Sequence, residues 1–320
     1  MENSTINPGP PSLAGLVWRP ITRDALAALV DLASTCFLVD GGLHFMLEPE
    51  NLTSDYFPDM PGAAVGAFAP DQRLVACATV HLDGDSDTLR AIIVGQVRPD
   101  LRNRGIGTYL MSWSQEKART LLATVTADQW LLQVRTESLT APAHRLYLAY
   151  GFRSVYEHLV MRRDLHQPIP DCPFPSGVTI TTWQNVLADE FFQAYDASFR
   201  ERPGFPGWSV TEWVDHWTTD NFKPDWSLLA RKGEVPVGFL IAATYPPHGF
   251  VVQVGVIPTQ RRRGLGSGLI VETMQRMQAA DAASVQLIVH INNPGAIQTY
   301  AQLGFVTIGR RARYERAMEG

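Results

Sequence analysis

Cysteine and long apolar runs are scarce in this sequence of 320 residues, and each shortage excludes a class of protein. The three cysteines, Cys36, Cys77 and Cys172, are scattered and odd in number. They therefore argue against a disulfide framework, suggest no metal site and favour a reducing cytoplasm. No segment reaches the ~18 consecutive apolar residues of a membrane-spanning helix, so no membrane partner is expected. The start, residues 1–14, lacks the apolar core of a signal peptide, and we expect a disordered tail there.

Lysine is also scarce, and the basic residues do not outnumber the acidic ones. There are 27 Lys and Arg against 32 Asp and Glu, a net charge of −5. This balance argues against a nucleic-acid partner, because nucleic-acid-binding domains are usually basic. An acidic surface suits a cationic substrate such as an amine, or it serves only solubility. The strong bias towards arginine hints at a GC-rich bacterial genome.

Two motifs occur twice in the same order, which indicates a duplication. The stretch Arg102-Asn-Arg-Gly-Ile-Gly107 returns as Arg261-Arg-Arg-Gly-Leu-Gly266, 159 residues later. Tyr147 and Tyr300 are 153 residues apart, and each is followed by Gly-Phe after three intervening residues. At about 150 residues for each domain, the length also fits two domains. The sequence therefore predicts two homologous domains in tandem.

The order of the predicted elements is the same in both halves. Each half reads as β-α-α-β-β-β-α-β-α-β, which predicts an α/β fold with a mixed, mostly antiparallel sheet and helices on both faces. A proline-rich spacer at 165–177 separates the halves. The predicted domains are therefore 15–164 and 178–320.

Each repeated loop lies between an apolar strand and a helix, and that arrangement presents backbone N–H groups to a phosphate. The glycines let a ligand approach the backbone closely. Neither loop contains the lysine of a P-loop, and in both the arginines stand where a dinucleotide-binding loop has its first glycine. The remaining readings are a pyrophosphate-binding loop of another kind, a plain tight turn, or a nucleic-acid patch.

The combination of both motifs resembles the GNAT family of N-acetyltransferases, whose loop follows the fourth strand and whose Tyr-x-x-x-Gly-Phe follows the fifth. The second half matches the family pattern at Asn293, Ala296, Tyr300, Gly304 and Phe305. The first half departs from the pattern at one place, where threonine stands instead of asparagine at position 140. The resemblance covers both halves and implies a tandem GNAT protein.

The resemblance implies acetyl-CoA as co-substrate, no metal, and a set of residues in each half. Acetyl-CoA would lie between the parallel fourth and fifth strands where they splay apart, and Tyr147 and Tyr300 would protonate the departing CoA thiolate. The residues implied in CoA binding are Gln96, Val97, Arg98, Arg102, Asn103, Arg104, Gly105, Ile106, Gly107 and Thr108 in the first half, and Val254, Gly255, Val256, Arg261, Arg262, Arg263, Gly264, Leu265, Gly266, Ser267 and Asn293 in the second.

Several roles stay open at this stage. The fourth strands carry Gln96 and Gln253 but no glutamate, so the general base is Glu137, His248, a water chain or a backbone carbonyl. The two tyrosines are also candidates for core packing, and Asn293 for a helix cap alone. A group of aromatic residues either faces a substrate or packs the core: Trp208, Trp213, Trp217 and Phe222.

The function predicted from the sequence is transfer of an acetyl group from acetyl-CoA to the primary amine of a small molecule or peptide. We expect a cytoplasmic bacterial enzyme, a monomer or homodimer, with the second half active because its motif is complete. Two other classes fit the same residues. One is a non-catalytic acyl-CoA-binding or regulatory module, and the other has one active half and one structural half.

Overall fold

The fold described is that of a computed structural model, which describes residues 15–202 and 204–318. The tail predicted at 1–14 lies outside the described residues. The chain folds as two units, which we call the first unit (residues 1–159 and 308–320) and the second unit (residues 160–307).

The first half of the chain has six strands and four helices in the described residues, in the predicted order. They are β1 (Val17–Pro20), α1 (Leu26–Asp40), α2 (Pro49–Tyr56), β2 (Gly62–Phe68), β3 (Leu74–Gly84), β4 (Thr88–Val97), α3 (Ile106–Leu122), β5 (Gln129–Thr136), α4 (Ala141–Ala149) and β6 (Arg153–Asp164).

The second half repeats this order of elements. They are β7 (Val178–Thr182), α5 (Ala188–Phe199), α6 (Val210–Trp217), β8 (Leu228–Lys232), β9 (Val235–Tyr245), β10 (His248–Val256), α7 (Leu265–Ala279), β11 (Ser284–His290), α8 (Pro294–Gln302) and β12 (Val306–Ala317). Short 3-10 turns precede α1, α2, α3, α5, α7 and β8.

The sheets are mixed and mostly antiparallel, as the sequence predicted. In the first unit the strand order is β1-β2-β3-β4-β5-β12, and in the second it is β6-β11-β10-β9-β8-β7. The parallel pairs are β4 with β5 and β10 with β11, each joined by a helix. Crossover helices of this kind are what a parallel pair requires, because its strands run in the same direction.

The boundaries of the units differ from those read off the sequence. β12 pairs antiparallel with β5, from Ala312↔Thr136 to Ala317↔Leu131, so the C-terminal residues belong to the first unit. The end of β6, from Val160, belongs to the second unit, where β6 neighbours β11. Both strands have the same alternating pattern, and that pattern does not say which sheet edge a strand joins.

Helices cover both faces of each sheet. In the first unit, α1 and α2 pack on one face through Leu29 and Leu52, and α3 packs on the other through Met111 and Leu122. In the second unit, Phe239 packs with the aromatic core of α5 and α6, while its neighbour Gly238 lies against α7. Successive residues of a strand point to opposite faces, so one strand serves both layers.

Residues 15–202 and 204–318 contain neither a membrane-spanning helix nor a metal-binding group of side chains. No helix there is long and apolar enough to cross a membrane. No group of three or more His, Cys, Asp or Glu side chains in those residues is arranged to hold a metal ion.

Candidate active site

The two glycine loops have the same backbone shape. Asn103 and Gly105 have φ angles of 59° and 83°, and Arg262 and Gly264 have 58° and 82°. The residue that follows each glycine begins α3 or α7. Alternation of right-handed and left-handed residues turns successive N–H groups to one side, which makes an anion-binding concavity.

The N–H groups of these loops come before the hydrogen-bond ladder of the helix. The first helical bonds run from Tyr109 N–H to Gly105 O and from Gly268 N–H to Gly264 O. A helix leaves its first N–H groups unpaired, and its dipole favours an anion there. A Cβ atom built on Gly105 or Gly264 meets no atom within 4 Å. Both loops thus have the donors and the open space that a pyrophosphate needs.

The first arginine of each loop holds the loop in place. Arg102 donates from Nε to Val97 O at 2.9 Å and from its two terminal nitrogens to the Asp40 carboxylate at 2.7 and 2.5 Å. Arg261 donates in the same way from Nε to Val256 O at 3.0 Å. These hydrogen bonds fix each loop to the strand before it, and the contact of both guanidinium groups with CoA stays a prediction.

The other predicted loop residues fall into three groups. The exposed side chains are Asn103, Arg104, Thr108, Arg262 and Arg263, and the half-buried positions are Gly107, Gly266 and Ser267. Ile106 and Leu265 are buried, so only their backbone faces a ligand. Arg98 forms an ion pair with Asp100 at 2.9 Å.

The parallel strands part before they end, as the resemblance implied. β4 and β5 pair only as far as Ile93 and Val134, although β4 continues to Val97. β10 and β11 pair only as far as Val251 and Leu287. Residues 94–97 and 252–256 therefore lack a strand partner on that edge, and their backbone groups are left for a ligand.

A cavity of about 280 Å³ lies within the first unit at this opening. Its lining includes the loop at Gly105, the end of β4 at Gly95, and Tyr147. It also includes two carboxylates, Asp55 of α2 and Glu137, which follows β5. The volume is close to the lower end of the range for small-molecule pockets, roughly 300–1,000 Å³.

Tyr147 reaches the cavity from α4, whose start is fixed locally. Thr140 caps this helix by accepting a hydrogen bond from Ala143 N–H at 3.3 Å. Burial, with a smaller contribution from Tyr314, raises the pKa of Tyr147 to about 12. Tyr147 therefore remains protonated at neutral pH and is available as a proton donor.

Three polar side chains meet at the α2 end of the cavity: Asp55, Tyr56 and Gln96. Gln96 lies next to the Tyr56 hydroxyl, yet neither Tyr56 Oη nor Gln96 Oε1 has hydrogen-bond geometry with another described residue. Burial, together with the nearby charge of Glu137, raises the pKa of Asp55 to about 6. The Tyr56 and Gln96 oxygens are enclosed by protein, so the Asp55 carboxyl is the polar group that this end of the cavity presents to a ligand.

Glu137 was a candidate for the general base in the sequence analysis. Its carboxylate, unlike that of Asp55, has an arginine partner. Its carboxylate is held by Arg311 in a two-point ion pair at 2.8 Å. A bidentate arginine is a strong partner of a carboxylate, and it fixes the orientation of Glu137.

The position of the second unit that corresponds to Gln96 is closely packed. At the 159-residue offset, Gly255 stands where the first unit has Gln96, and a Cβ atom on Gly255 would lie 2.6 Å from the Phe239 ring. Trp213 of α6 is fully buried and donates to Gln253 Oε1 at 3.3 Å. The aromatic group noted in the sequence belongs to this packed core.

Tyr300 and Asn293 of the second unit have clear local roles. Asn293 caps α8 by accepting from Ala296 N–H at 3.2 Å, one of the two roles considered for it. Tyr300 packs against Phe305 with ring centroids 5.9 Å apart, and burial raises its pKa to about 12.

His248 is excluded as a base for the second unit. It begins β10, where its ring lies 2.9 Å from Ser284 Oγ. The glycine loop follows the other end of β10, at Val256, eight residues away. At about 3.3 Å per residue that is roughly 26 Å.

Asp55 and Tyr56 were missed by the sequence analysis. They belong to the short helix α2, whose eight residues carry no motif. A signal was present, because Asp55 stands between the apolar positions of a helix face at Leu52 and Tyr56. An acid beside such a face lies at the edge of the core, where burial shifts its pKa.

The fold and the two glycine loops define an acyl-transferring protein with two related domains. The Acetyltransferase (GNAT) family matches residues 183–305, and the Acetyltransferase (GNAT) domain matches residues 65–154. The chain belongs to the GNAT family of acetyltransferases, with two GNAT domains in tandem.

Curated relatives and solved structures agree with this membership. The chain is 30% identical over 256 residues to a mycothiol acetyltransferase of Nocardia farcinica, covering 77% of this chain and 80% of the relative. It is 27% identical over 314 residues to one of Acidothermus cellulolyticus, covering 93% and 92%.

Two solved structures share the fold. A GCN5-related N-acetyltransferase from Sphaerobacter thermophilus has a TM-score of 0.73 at 24% identity, covering 95% of this chain and 96% of that one. A tandem GNAT protein from the clavulanic acid biosynthesis pathway has a TM-score of 0.62 at 15% identity, covering 95% and 99%.

Proposed function

We propose that this acetyltransferase moves an acetyl group from acetyl-CoA to the primary amine of a small molecule, in the cavity of the first unit. One observation carries the proposal. The lining of a single cavity includes the glycine loop, the splayed end of β4 and the hydroxyl-bearing Tyr147. A reaction between a CoA thioester and a bound acceptor needs a phosphate site, a thioester site and a proton donor close together.

Acetyl-CoA would be held mainly by backbone groups. The N–H groups of residues 103–108 would bind the pyrophosphate, and the exposed Arg104 side chain would add positive charge. Arg102 would act as a positioning residue, because its guanidinium is already bonded to Val97 and Asp40. The free edge of residues 94–97 would pair with the pantetheine arm.

The acetyl carbonyl would develop negative charge as the amine attacks it. A backbone N–H of the 94–97 edge would stabilise that oxyanion. Tyr147 would give its proton to the departing thiolate. The apolar surroundings that raise the pKa of Tyr147 also raise that of the thiol, so the proton transfer stays feasible.

The acceptor proposed is a small molecule with a primary amine. The end of the cavity at Asp55, Tyr56 and Gln96 is rich in hydrogen-bond acceptors, which suits the N–H groups of an ammonium. The names of the relatives, mycothiol acetyltransferases, support an acceptor of low molecular weight. Peptide amines belong in the test panel as well.

Matched tyrosine substitutions test which unit reacts. Tyr147→Phe and Tyr300→Phe remove one hydroxyl from equivalent helices, and CoA release is followed with a thiol reagent over a panel of amines. We expect Tyr147→Phe to lower kcat about 100-fold and Tyr300→Phe to leave it unchanged. The reverse result would support the second unit as the active half, which the completeness of its motif favoured. No CoA release by the unsubstituted enzyme with any amine would contradict the proposed reaction.

A second role fits the second unit, that of an acyl-CoA-binding structural half. Its loop has the same shape as the first, while Phe239 lies against Gly255 and Trp213 is fully buried in the core beside β10. Isothermal titration with acetyl-CoA separates the possibilities by stoichiometry. Two sites per chain with one active tyrosine would support this role, and a single site would argue that the second loop binds no CoA.

The remaining expectations from the sequence stay proposals. They are a bacterial, cytoplasmic enzyme that acts as a monomer or homodimer without nucleic acid, membrane or metal. Light scattering of the purified chain measures the oligomeric state directly.

A further inference from the structure

Asp55 has a fixed position at the acceptor end of the cavity. α2 begins with Pro49 in its first turn and buries Leu52 and Tyr56, which lie on the same face one turn apart. Asp55 precedes Tyr56 and is half-buried at the edge of that face, so the helix aims its carboxylate at the cavity.

The carboxylate of Asp55 makes no hydrogen bond or ion pair with a side chain of the described residues. The other carboxylate of the cavity, Glu137, is occupied by Arg311. Beside Asp55, the hydroxyl of Tyr56 is enclosed by protein and lies against Gln96. The Asp55 carboxylate is therefore the group that this end of the cavity leaves for a ligand that donates hydrogen bonds.

The charges that face Asp55 come from three elements. Glu137 opposes ionisation, and Arg135, Arg311 and Arg313 favour it, but burial outweighs them all. The result is a carboxyl group whose pKa is about 6. At pH 7 it is mostly ionised, and it is more basic than an exposed aspartate, which is the condition a general base requires.

We propose that Asp55 is the general base of the reaction, the group that takes a proton from the acceptor ammonium in the first unit. This rests on the proposed function. The amine enters as an ammonium, gives one proton to Asp55 and attacks with the lone pair so released. The new N–C bond forms as the C–S bond breaks, and the thiolate takes the proton of Tyr147. The second amine proton restores Tyr147 through solvent, and Asp55 releases its own proton to solvent.

The substitution Asp55→Asn keeps the shape of the side chain and removes the base. Acetyl transfer is measured as kcat/KM from pH 5 to pH 9.5 with an amine that the unsubstituted enzyme acetylates. We expect a loss of 100-fold or more at pH 7. The gap should narrow as the pH approaches the pKa of the free amine, because the acceptor then arrives already neutral. Asp55→Glu should restore part of the activity, since it keeps a carboxylate.

Two further variants serve as controls. Glu50→Gln removes an exposed carboxylate from the same helix and should match the unsubstituted enzyme at every pH. Glu137→Gln tests the rival carboxylate, and it should keep an acid limb whatever its rate. The limb should move to lower pH, because the Glu137 charge no longer opposes ionisation of Asp55. Titration with acetyl-CoA on each variant checks that the loop remains folded.

The outcomes separate this assignment from the proposed function. A loss in Asp55→Asn that narrows at high pH supports Asp55 as the base. A loss that is equal at every pH means a structural role and overturns the proposal, as does an Asp55→Asn variant with the profile of the unsubstituted enzyme. Loss of the acid limb in Glu137→Gln instead would assign the base to Glu137. If the unsubstituted enzyme acetylates no amine, the proposed function fails, and the assignment fails with it.

Discussion

The two glycine loops offer a matched pair of substitutions, Gly105→Ala and Gly264→Ala. Both glycines have left-handed backbones, with φ of 83° and 82° and the same ψ of −8°. A Cβ atom at either position meets no atom within 4 Å, so neither substitution causes a clash. What remains is the conformational cost of placing alanine in the left-handed region, and that cost is the same in both loops.

The cost is about 1–2 kcal/mol for each substitution. It lowers the melting temperature of a unit of this size by about 2–4 °C for each kcal/mol. The loop of the alanine variant can leave the left-handed conformation when no ligand is bound. Binding of acetyl-CoA must then restore that conformation, and the same energy weakens the affinity for acetyl-CoA. That corresponds to a 5- to 30-fold weaker affinity at the substituted loop.

The assay compares melting temperature, acetyl-CoA titration and acetyl transfer for both variants. We expect equal losses of melting temperature, because the backbone change is equal. We expect transfer at low acetyl-CoA concentration to fall only in Gly105→Ala, because the proposed reaction uses the cavity beside that loop. Loss of transfer in Gly264→Ala with normal transfer in Gly105→Ala would refute the assignment of the reaction to the first unit.

Three more substitutions test the packing around the site. Asp40→Asn leaves the Arg102 guanidinium without its carboxylate. Because the Asp40 side chain is 7% exposed, we expect the free energy of unfolding, measured in urea, to fall by about 3 kcal/mol. A fall of less than about 1 kcal/mol would mean that water replaces the carboxylate. Asp55→Asn should raise the melting temperature at pH 7–8 and have little effect near pH 4, because the raised pKa means that Asp55 stabilises the fold when protonated and loses this contribution as the pH rises through about 6. The gain is at most about 3 kcal/mol, and a loss at pH 8 would contradict the sign. Gly304→Ala combines a left-handed φ of 86° with a Cβ atom on top of the buried Arg163 guanidinium, so calorimetry should show a loss larger than the 1–2 kcal/mol of Gly105→Ala.

The order of the elements and the backbone geometry of the two glycine loops could be predicted from the sequence. Both depend on local signals, which are hydrophobic periodicity for the strands and helices, and glycine at positions with φ above +50° for the loops. The cap at Asn293 and its counterpart at Thr140 are equally local, since a cap is decided within four residues.

Three features could not be read in this way. The positioning roles of Arg102 and Arg261 depend on carbonyl and carboxylate groups that the fold brings to them. Their hydrogen bonds to these groups hold each loop against the preceding strand. The exclusion of His248 depends on which end of β10 it occupies relative to the loop. The raised pKa of Asp55, on which its proposed role draws, depends on burial by elements that are distant in the sequence.

The sequence by itself determined that the chain is a duplication and that each copy carries the same glycine loop before a helix, because repeats and turn residues are written in consecutive positions. Tertiary structure decided what surrounds each loop, because that depends on side chains packed from separate elements. Gln96 borders a cavity, while Gly255 at the same place in the other copy lies against Phe239. Tertiary structure also decided that the C-terminal strand joins the first unit, because strand pairing is a long-range contact that no local pattern specifies.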